Sequence, residues 1–295
     1  MPGLTQFGTR LASGIPSGAI TVGSGGKYST LSAALQDTSR QVLRLPHHSQ
    51  VAISRSNIKI YGETSDSSSY TGNKVTLTDN VPASSAGSND ASGTVRILAT
   101  GVKLYNLNIA NTYGKPVDQS QAIALSVQAG QFGCYGCQIS LPLKTFIESA
   151  KGDTRLAVNL TVVRYLARLP PSGSPRALFR RSDDANYYVI NSSTIQGTHI
   201  LGRLSMKADL GGTMPVSSSK TRKCSPRVQM NVSDAKAAGW SVWSSSDTRT
   251  DHVTFGESGA WNSARPSFAT QLSSAVSIST VLGSSYTSWV DTTYL

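Results

Sequence analysis

The feature of this sequence that most constrains its fold is a strand ending that recurs along the chain. The segments LYNLNI, CYGCQI and INSSTI end at Ile109, Ile139 and Ile195, which are 30 and then 56 residues apart. Spacings of about 20 to 50 residues with one supersecondary unit each indicate a solenoid, in which every coil packs on its neighbours. The two steps correspond to one coil and about two coils.

The segments between these endings are short and strand-like. GAITVG, SNIKIYGE and NKVTLT are rich in β-branched residues and are separated by Gly, Asn and Ser. A β-sandwich would also have short strands, but it would not repeat one strand ending at such steps. We therefore predict an all-β protein built as a parallel β-helix.

Alternation within the strands predicts which side chains face the interior of the solenoid. Each coil is expected to stack its inward-facing aliphatic residues on those of the next coil. The predicted inner face includes Ile58, Ile60, Leu104, Leu107, Ile109, Ile123 and Leu125.

Two segments differ from this strand pattern. Near the start, Thr30 precedes Leu31, Ala34 and Leu35, a spacing that predicts a short helix with Thr30 as its N-cap. The tail from Phe268 onward is expected to be helical or coiled and to pack back as a cap, because an open last coil would expose the core.

The formal net charge of +11 would suit an acidic partner, but the charge is unevenly distributed. Residues 140–227 contain 14 basic and 5 acidic residues, a net charge of +9, whereas the remainder has a net charge of +2. Neither aromatic interleaving nor a nucleic-acid motif accompanies the basic runs, so we expect no nucleic-acid partner.

No run of eighteen apolar residues and no continuous apolar N-terminal segment occurs, so we expect neither a membrane span nor a signal peptide in this sequence.

The three cysteines do not form a recognisable metal or redox motif. Cys134 and Cys137 form a C-x-x-C pair without the following helix that a redox motif needs, and Cys224 is remote in sequence. Zinc would require two further ligands at a suitable spacing. We interpret the pair as structural, leave the disulfide state of all three open, and expect neither a metal nor a cofactor.

Several segments, taken together, resemble fungal pectin methylesterases. They are GAITVGSGGKYSTLSAAL, SRSNIKIYGETS, GVKLYNLNIANTYGKPVDQSQAIAL, LGR, AAGWSVWSS and LGSSYTSWVD, which occur in the family's order over about two thirds of the chain. The resemblance implies a secreted, extracellular pectinesterase built as a single right-handed parallel β-helix domain over residues 1–295. It also implies that the substrate is pectin, a methyl-esterified homogalacturonan, and we expect a monomer without a cofactor.

In this family one aspartate attacks the ester carbonyl and a second serves as general acid and then base. By the resemblance, Gln121 in QAIAL matches the glutamine that stabilises the oxyanion, and Arg203 in LGR matches the arginine that orients the nucleophile. Thr112 and Tyr113 in NTYG match substrate-side positions. The tryptophan that follows the arginine in the family is replaced here by Leu204.

The two aspartates are absent from their matching positions. After GCQIS the chain reads LPLKTF where the family has G-Y-Q-D-T, and NLTVVRYLARLPPSG stands where it has D-F-I-F-G. Glu148 and Asp153 are the nearest acids, but neither lies in a matching pattern.

These departures are confined to three aberrant segments, near 45–50, 140–181 and 204–227, each flanked by close matches. Such blocks are typical of a wrong reading frame or retained intron sequence. The alternative is genuine divergence to a catalytically dead polygalacturonate-binding homologue. The first interpretation predicts poor order in these segments and a β-helix with a gap in its middle, whereas a regular course of strands through them would favour divergence.

Overall fold

The structure, a computed structural model, describes only part of the chain. The described ranges are 17–39, 42–45, 50–113, 122–141, 147–149, 155–165, 178–179, 187–190, 193–197, 204–207, 228–230, 235–242, 245, 255–257, 263–273 and 277–294. Within them the chain forms twenty strands, numbered in chain order, and three short α-helices.

Eleven strands form one large sheet, the main sheet, in which every pairing is parallel. They are β1 (Ile20–Thr21), β2 (Val42–Leu45), β4 (Lys59–Gly62), β5 (Thr76–Asp79), β7 (Lys103–Tyr105), β8 (Asn108–Asn111), β10 (Phe132–Leu141), β12 (Arg155–Tyr165), β14 (Tyr187–Ile190), β15 (Ser193–Gly197) and β17 (Val228–Met230). The path through this sheet runs β1-β2-β4-β7-β10-β12-β15-β17, with β8 pairing with β5 and β10, and β14 with β12.

A second sheet contains five parallel strands in the order β13-β11-β9-β6-β3. Its members are β3 (Val51–Ile53), β6 (Val95–Ile97), β9 (Leu125–Val127), β11 (Ile147–Ser149) and β13 (Leu178–Phe179). Two further parallel pairs are β16 (Leu204–Lys207) with β18 (Ala235–Ser241), and β19 (Phe255–Glu257) with β20 (Ala269–Gln271). The helices are α1 (Leu31–Gln36), α2 (Ala83–Ala86) and α3 (Ile278–Leu282).

The chain alternates between the two sheets, so each coil contributes to both, and the fold is a parallel β-helix. The recurring isoleucines lie in register: Ile109 pairs with Ile139 directly. Ile139 then pairs with Val163, and Val163 pairs with Ile195. The step of 56 residues is therefore two coils, as the sequence predicts.

A strand of the main sheet crosses the middle of the 140–181 segment. Strand β12 pairs with β10 on one side, and with β14 and β15 on the other. Its sequence RLAVNLTVVRY keeps the alternation Leu156, Val158, Leu160 that a strand requires. Strands β11, β13 and β16, the end of β10, and residues Leu45 and Gln50 also lie in the three segments. The other residues of these segments are outside the described residues, so the gap stays a prediction there.

The interior of the β-helix is aliphatic. All seven residues predicted for the inner face are buried, and each has a relative exposure of 0%. Six of them belong to one continuous hydrophobic cluster, whereas Ile123 is buried outside that cluster. Cys134 and Cys137 are free thiols inside the cluster, in agreement with a structural role.

The predicted helix is confirmed as α1. The side chain of Thr30 accepts a hydrogen bond from the N–H of Ala33, and the helix buries Leu31, Ala34 and Leu35. No helix in the described part of the chain is long and apolar enough to cross a membrane.

The main sheet bends in two successive coils, between β7 and β8 and within β10. Asn106 occupies the first bend with φ +51°, and Gly136, with φ +57°, occupies the second, where β10 has a bulge. A Cβ at Gly136 would lie 2.7 Å from Nδ2 of Asn106, so glycine is required there for space as well as for backbone conformation. The bulge lets Cys134 and Cys137, three residues apart, both face the interior.

The outer face of the main sheet carries a stack of tyrosines. The rings of Tyr61 and Tyr105 are 4.3 Å apart and nearly parallel, and those of Tyr105 and Tyr135 are 5.0 Å apart. Tyr294, from the C-terminal tail, packs on this stack at 5.1 Å from Tyr135. The end of the tail thus covers the flank of the coils that carry β7 and β10, because Tyr294 and Asp291 find partners there.

Candidate functional site

The predicted substrate-side pair follows directly after β8. The N–H and the hydroxyl of Thr112 both donate to the carbonyl oxygen of Asp79, at 2.7 and 3.0 Å. The Thr112 side chain is exposed and Tyr113 is half-buried. These bonds extend the pairing of β8 with β5 by one residue, so this pair is held at the end of a regular strand.

Asn111, the last residue of β8, joins three segments of the chain. Its Nδ2 donates to the carbonyl oxygens of Val81 and Ser92, both at 3.0 Å, and of Ile123 at 3.3 Å. Its Oδ1 accepts a hydrogen bond of 3.2 Å from the N–H of Tyr113. Because the Asn111 side chain is only 1% exposed, these bonds are made away from water and have fixed directions.

Ile123, just before β9, donates one hydrogen bond and accepts two. Its N–H donates to Oγ of Ser92 at 3.3 Å, and its carbonyl oxygen accepts from Asn111 and from the N–H of Thr94, the latter at 3.0 Å. Ser92 is fully buried, and its hydroxyl donates to the carbonyl oxygen of Asn89 at 2.7 Å. The start of the second sheet is therefore held by side chains as well as by backbone pairing.

A charged pair supports the loop that carries Ser92. Asp90 accepts hydrogen bonds from both Nε and Nη2 of Arg96, and its Oδ1 also accepts from the hydroxyl of Ser126 at 2.7 Å. Burial raises the pKa of the Asp90 carboxyl, but the bonds from Arg96 and Ser126 outweigh burial and leave this pKa below its usual value. Asp90 is thus held ionised, and its carboxylate oxygens already accept hydrogen bonds from Arg96 and Ser126.

Two predicted site residues lie outside the described residues. These are Gln121, the predicted oxyanion residue, and Arg203, the predicted orienting residue. The described chain resumes at Ala122, which is buried, and continues into β9. The role of each of the four predicted residues, Gln121, Arg203, Thr112 and Tyr113, stays a prediction.

The sheet register relates Gln121 to the stretch where the first missing aspartate is expected. Gln121 precedes β9 by four residues, and the LPLKTF stretch leads directly into β11. Strands β9 and β11 are parallel neighbours, with Leu125 opposite Ile147. The two strands therefore begin at the same edge of the second sheet, which is the edge where Asn111 and Ser92 bind Ile123. Glu148, one of the two acids nearest in sequence to the missing aspartates, lies on β11 opposite Ser126. The other, Asp153, is outside the described residues.

Sequence reasoning missed Asn111 and Ser92. Asn111 lies immediately before Thr112 in NTYG, at the end of a predicted strand, and a polar residue at such a place is a signal that could have been used. Within the described ranges, no group of three or more His, Cys, Asp or Glu side chains is placed to hold a metal ion.

Comparisons with known proteins agree with this architecture. No protein-family model matches the chain. The chain is 36% identical to the pectinesterase of Aspergillus aculeatus, over 95% of this chain and 93% of that protein. It is 33% identical to the pectinesterase of Aspergillus niger, again over 95% of this chain and 93% of that protein.

Two solved structures extend the comparison. The pectin methylesterase of Aspergillus niger in deglycosylated form superposes with a TM-score of 0.63 at 25% identity, over 96% of this chain and 99% of that one. The pectin methylesterase from carrot superposes with a TM-score of 0.57 at 20% identity, over 88% of this chain and 90% of that one. At that identity the carrot protein supports the fold alone.

Proposed function

The chain belongs to the pectinesterase family of carboxylic ester hydrolases, and on this premise we propose that it removes the methyl esters of galacturonate in pectin. The reaction consumes one water for each ester and yields pectate, methanol and a proton. The observation that carries the proposal is the match at 36% identity over 95% of this chain.

The described geometry supports placing the substrate at the starting edge of the second sheet. Thr112 and Tyr113 are held there by bonds to Asp79 and Asn111. The segment that follows Gln121 is fixed at the same edge through Ile123. A glutamine next to this edge would donate a hydrogen bond to the oxygen that becomes negative when the ester carbonyl is attacked.

The chemistry needs two carboxylates in different environments. One attacks the ester carbonyl and forms an acyl-enzyme, while the other donates a proton to the departing methoxide and then activates the water that hydrolyses the acyl-enzyme. The present sequence has no aspartate at either matching position. We propose that both are supplied when the gene is read in the frame that restores G-Y-Q-D-T and D-F-I-F-G over residues 140–181.

We also propose that the protein acts outside the cell, as a monomer, on methyl-esterified homogalacturonan of the cell wall. The low proportion of charged residues, 15%, together with abundant Gly, Ser and Thr, supports an extracellular setting. The uneven distribution of basic residues supports pectin rather than nucleic acid as the partner.

The experiment is a measurement of methanol released from methylated pectin by two proteins, the chain of this sequence and the frame-restored chain. We expect essentially none from the first, because the loss of cooperating catalytic groups costs on the order of a millionfold in rate. We expect ready release from the second, and its abolition when the recovered aspartates are changed to alanine.

Two other outcomes would overturn parts of this proposal. Robust release by the present sequence would mean that another carboxylate, with Glu148 and Asp153 as the first candidates, has taken the role. If no reading frame recovers the aspartates, and the chain of this sequence binds pectin without releasing methanol, the protein is a non-catalytic pectin-binding homologue.

A further inference from the structure

The backbone of Ile123 is held by buried side chains on both of its polar groups. Its N–H donates to the Ser92 hydroxyl and its carbonyl oxygen accepts from Asn111, each at 3.3 Å. Ile123 precedes β9 by two residues, and a backbone bond runs from the N–H of Thr94 to its carbonyl oxygen. The two side-chain bonds thus hold a buried peptide that lies outside the regular pairing of β9.

The same Asn111 side chain also fixes the backbone N–H of Tyr113. Its Oδ1 accepts from the Tyr113 N–H, while its Nδ2 donates to Ile123 two residues beyond Gln121. One amide group therefore connects the predicted substrate-side pair with the predicted oxyanion segment. A shift of either segment would stretch bonds to the other through this one side chain.

The loop of Ser92 is itself held in place from both sides. Gln50 donates through Nε2 to the carbonyl oxygens of Ala91 and Gly93, at 2.8 and 3.0 Å. On the other side, Arg96 binds the Asp90 carboxylate through two nitrogens. Ser92 therefore has little freedom to follow a movement of Ile123, and it acts as a fixed acceptor.

We propose that Asn111 and Ser92 together form a polar clamp whose role is to hold the segment that leads into β9, and Tyr113, in place for the ester reaction. This inference rests on the proposed function. Neither residue is proposed to touch the substrate, so both are positioning residues. A misplacement of a catalytic group by about 1 Å costs roughly a hundredfold in rate, so a clamp on the backbone next to Gln121 has a direct catalytic value.

The kinetic test uses the frame-restored protein with Asn111→Ala and Ser92→Ala. Asn111→Ala frees both segments, so we expect kcat to fall by about ten- to a hundredfold and KM to rise as well. Ser92→Ala frees the Ile123 N–H and the Asn89 carbonyl oxygen but leaves the bonds of Asn111 in place, so we expect a smaller fall in kcat with KM nearly unchanged. A residue that serves stability alone would leave kcat per folded molecule unchanged in both variants.

Two matched controls are available in the same region. Asn108 lies in β8 three residues before Asn111, and its Oδ1 accepts from Asn73 rather than contacting the edge of the second sheet. Ser85 has a hydroxyl that donates to the carbonyl oxygen of Pro82 in α2. We expect Asn108→Ala and Ser85→Ala to change kcat and KM by less than about twofold.

Hydrogen–deuterium exchange tests the clamp without any activity, in the chain of this sequence. We expect faster exchange of the peptide over residues 122–127 in Asn111→Ala and Ser92→Ala, and the parent rate in Asn108→Ala. Unchanged exchange there in both clamp variants would overturn the clamp, whether or not the protein is an enzyme. Faster exchange with unchanged kcat in an active parent would overturn the positioning role. Absence of methanol from the frame-restored parent would overturn the proposed function alone, and the exchange result would still decide the clamp.

Discussion

The outer flank of the main sheet and the starting edge of the second sheet are built on opposite principles. The flank consists of the stacked rings of Tyr61, Tyr105, Tyr135 and Tyr294, and the C-terminal tail covers it. The edge consists of the polar clamp, in which Asn111 and Ser92 bind the backbone of Ile123. Coils of one solenoid thus carry an aromatic side and a hydrogen-bonded side.

The difference follows from what each kind of contact can do. A buried aromatic ring removes a large apolar area from water, and each ring pair contributes about 0.5–1.5 kcal/mol beyond that burial. A hydrogen bond adds a net of only about 0.5–1.5 kcal/mol, but it fixes direction. The flank therefore stabilises the fold, whereas the edge fixes the positions of groups at the proposed site.

The largest expected effect comes from removing the middle ring of the stack. Tyr105 is 1% exposed, lies between two rings, and donates its hydroxyl to Oδ2 of Asp291 at 3.0 Å. Changing Tyr105→Ala is expected to lower the free energy of unfolding by about 3–5 kcal/mol, as for other large buried aromatic residues. Denaturant-induced unfolding of the parent and the variant measures this difference in free energy. The half-buried Tyr70, outside the stack, is the control, and a similar loss for Tyr70→Ala would contradict the importance of the stack.

A smaller effect is expected from crowding the stack at Gly133. A Cβ there would lie 2.5 Å from Oη and 2.6 Å from Cε2 of Tyr135, so Gly133→Ala must displace the ring. Overpacking of this kind costs about 1–3 kcal/mol. A double-mutant cycle with Tyr135→Ala isolates the cause. If Gly133→Ala costs as much in the Tyr135→Ala background, displacement of the ring is not the reason.

The smallest effect concerns the pH dependence of the tail contact. Burial raises the pKa of Asp291, but hydrogen bonds from Thr293 and Tyr105 outweigh burial, and the pKa lies below its usual value. Because the folded-state pKa is depressed, this carboxylate stabilises the fold above its unfolded pKa of about 4 and loses that contribution as pH falls through the lower folded value. The other titratable groups at this contact are Tyr61, Tyr105, Tyr135, Tyr294 and Lys103.

Thermal unfolding of the parent and of Asp291→Asn at pH 6 and pH 3 measures this contribution. We expect the variant to be the less stable of the two at pH 6, with the difference shrinking at pH 3. Burial raises the pKa of Tyr294 to about 12, so that tyrosine stays neutral throughout this range. A difference between the two proteins that is independent of pH would contradict the assignment.

Local patterns in the sequence were sufficient for the interior of the fold. The cap at Thr30 and the helix it begins follow from residues a few positions apart. The steps between Ile109, Ile139 and Ile195 equal whole coils because equivalent positions must stack. Strand β12 is not evident from the sequence, because proline and basic residues around it obscure a short alternation within the strand.

The flank and the edge depend on contacts between distant parts of the chain. Tyr105 and Asp291 are 186 positions apart, and no local pattern relates them. A signal for the stack was nevertheless present, since Tyr61, Tyr105 and Tyr135 occupy equivalent places in KIYG, KLYN and GCYG. Asn111 carries no comparable repeat, because its role appears only when the segments of Val81, Ser92 and Ile123 meet around it.

The most direct test of this division is an exchange map of three proteins: the parent, Tyr105→Ala and Asn111→Ala. If stability and site geometry are separate, Tyr105→Ala will accelerate exchange in β4, β7, β10 and the tail. Asn111→Ala will accelerate it at residues 122–127 and leave β4 at the parent rate. If both variants accelerate the same peptides to the same extent, the two regions form one cooperative unit, and the assignment of stability to one and positioning to the other is wrong.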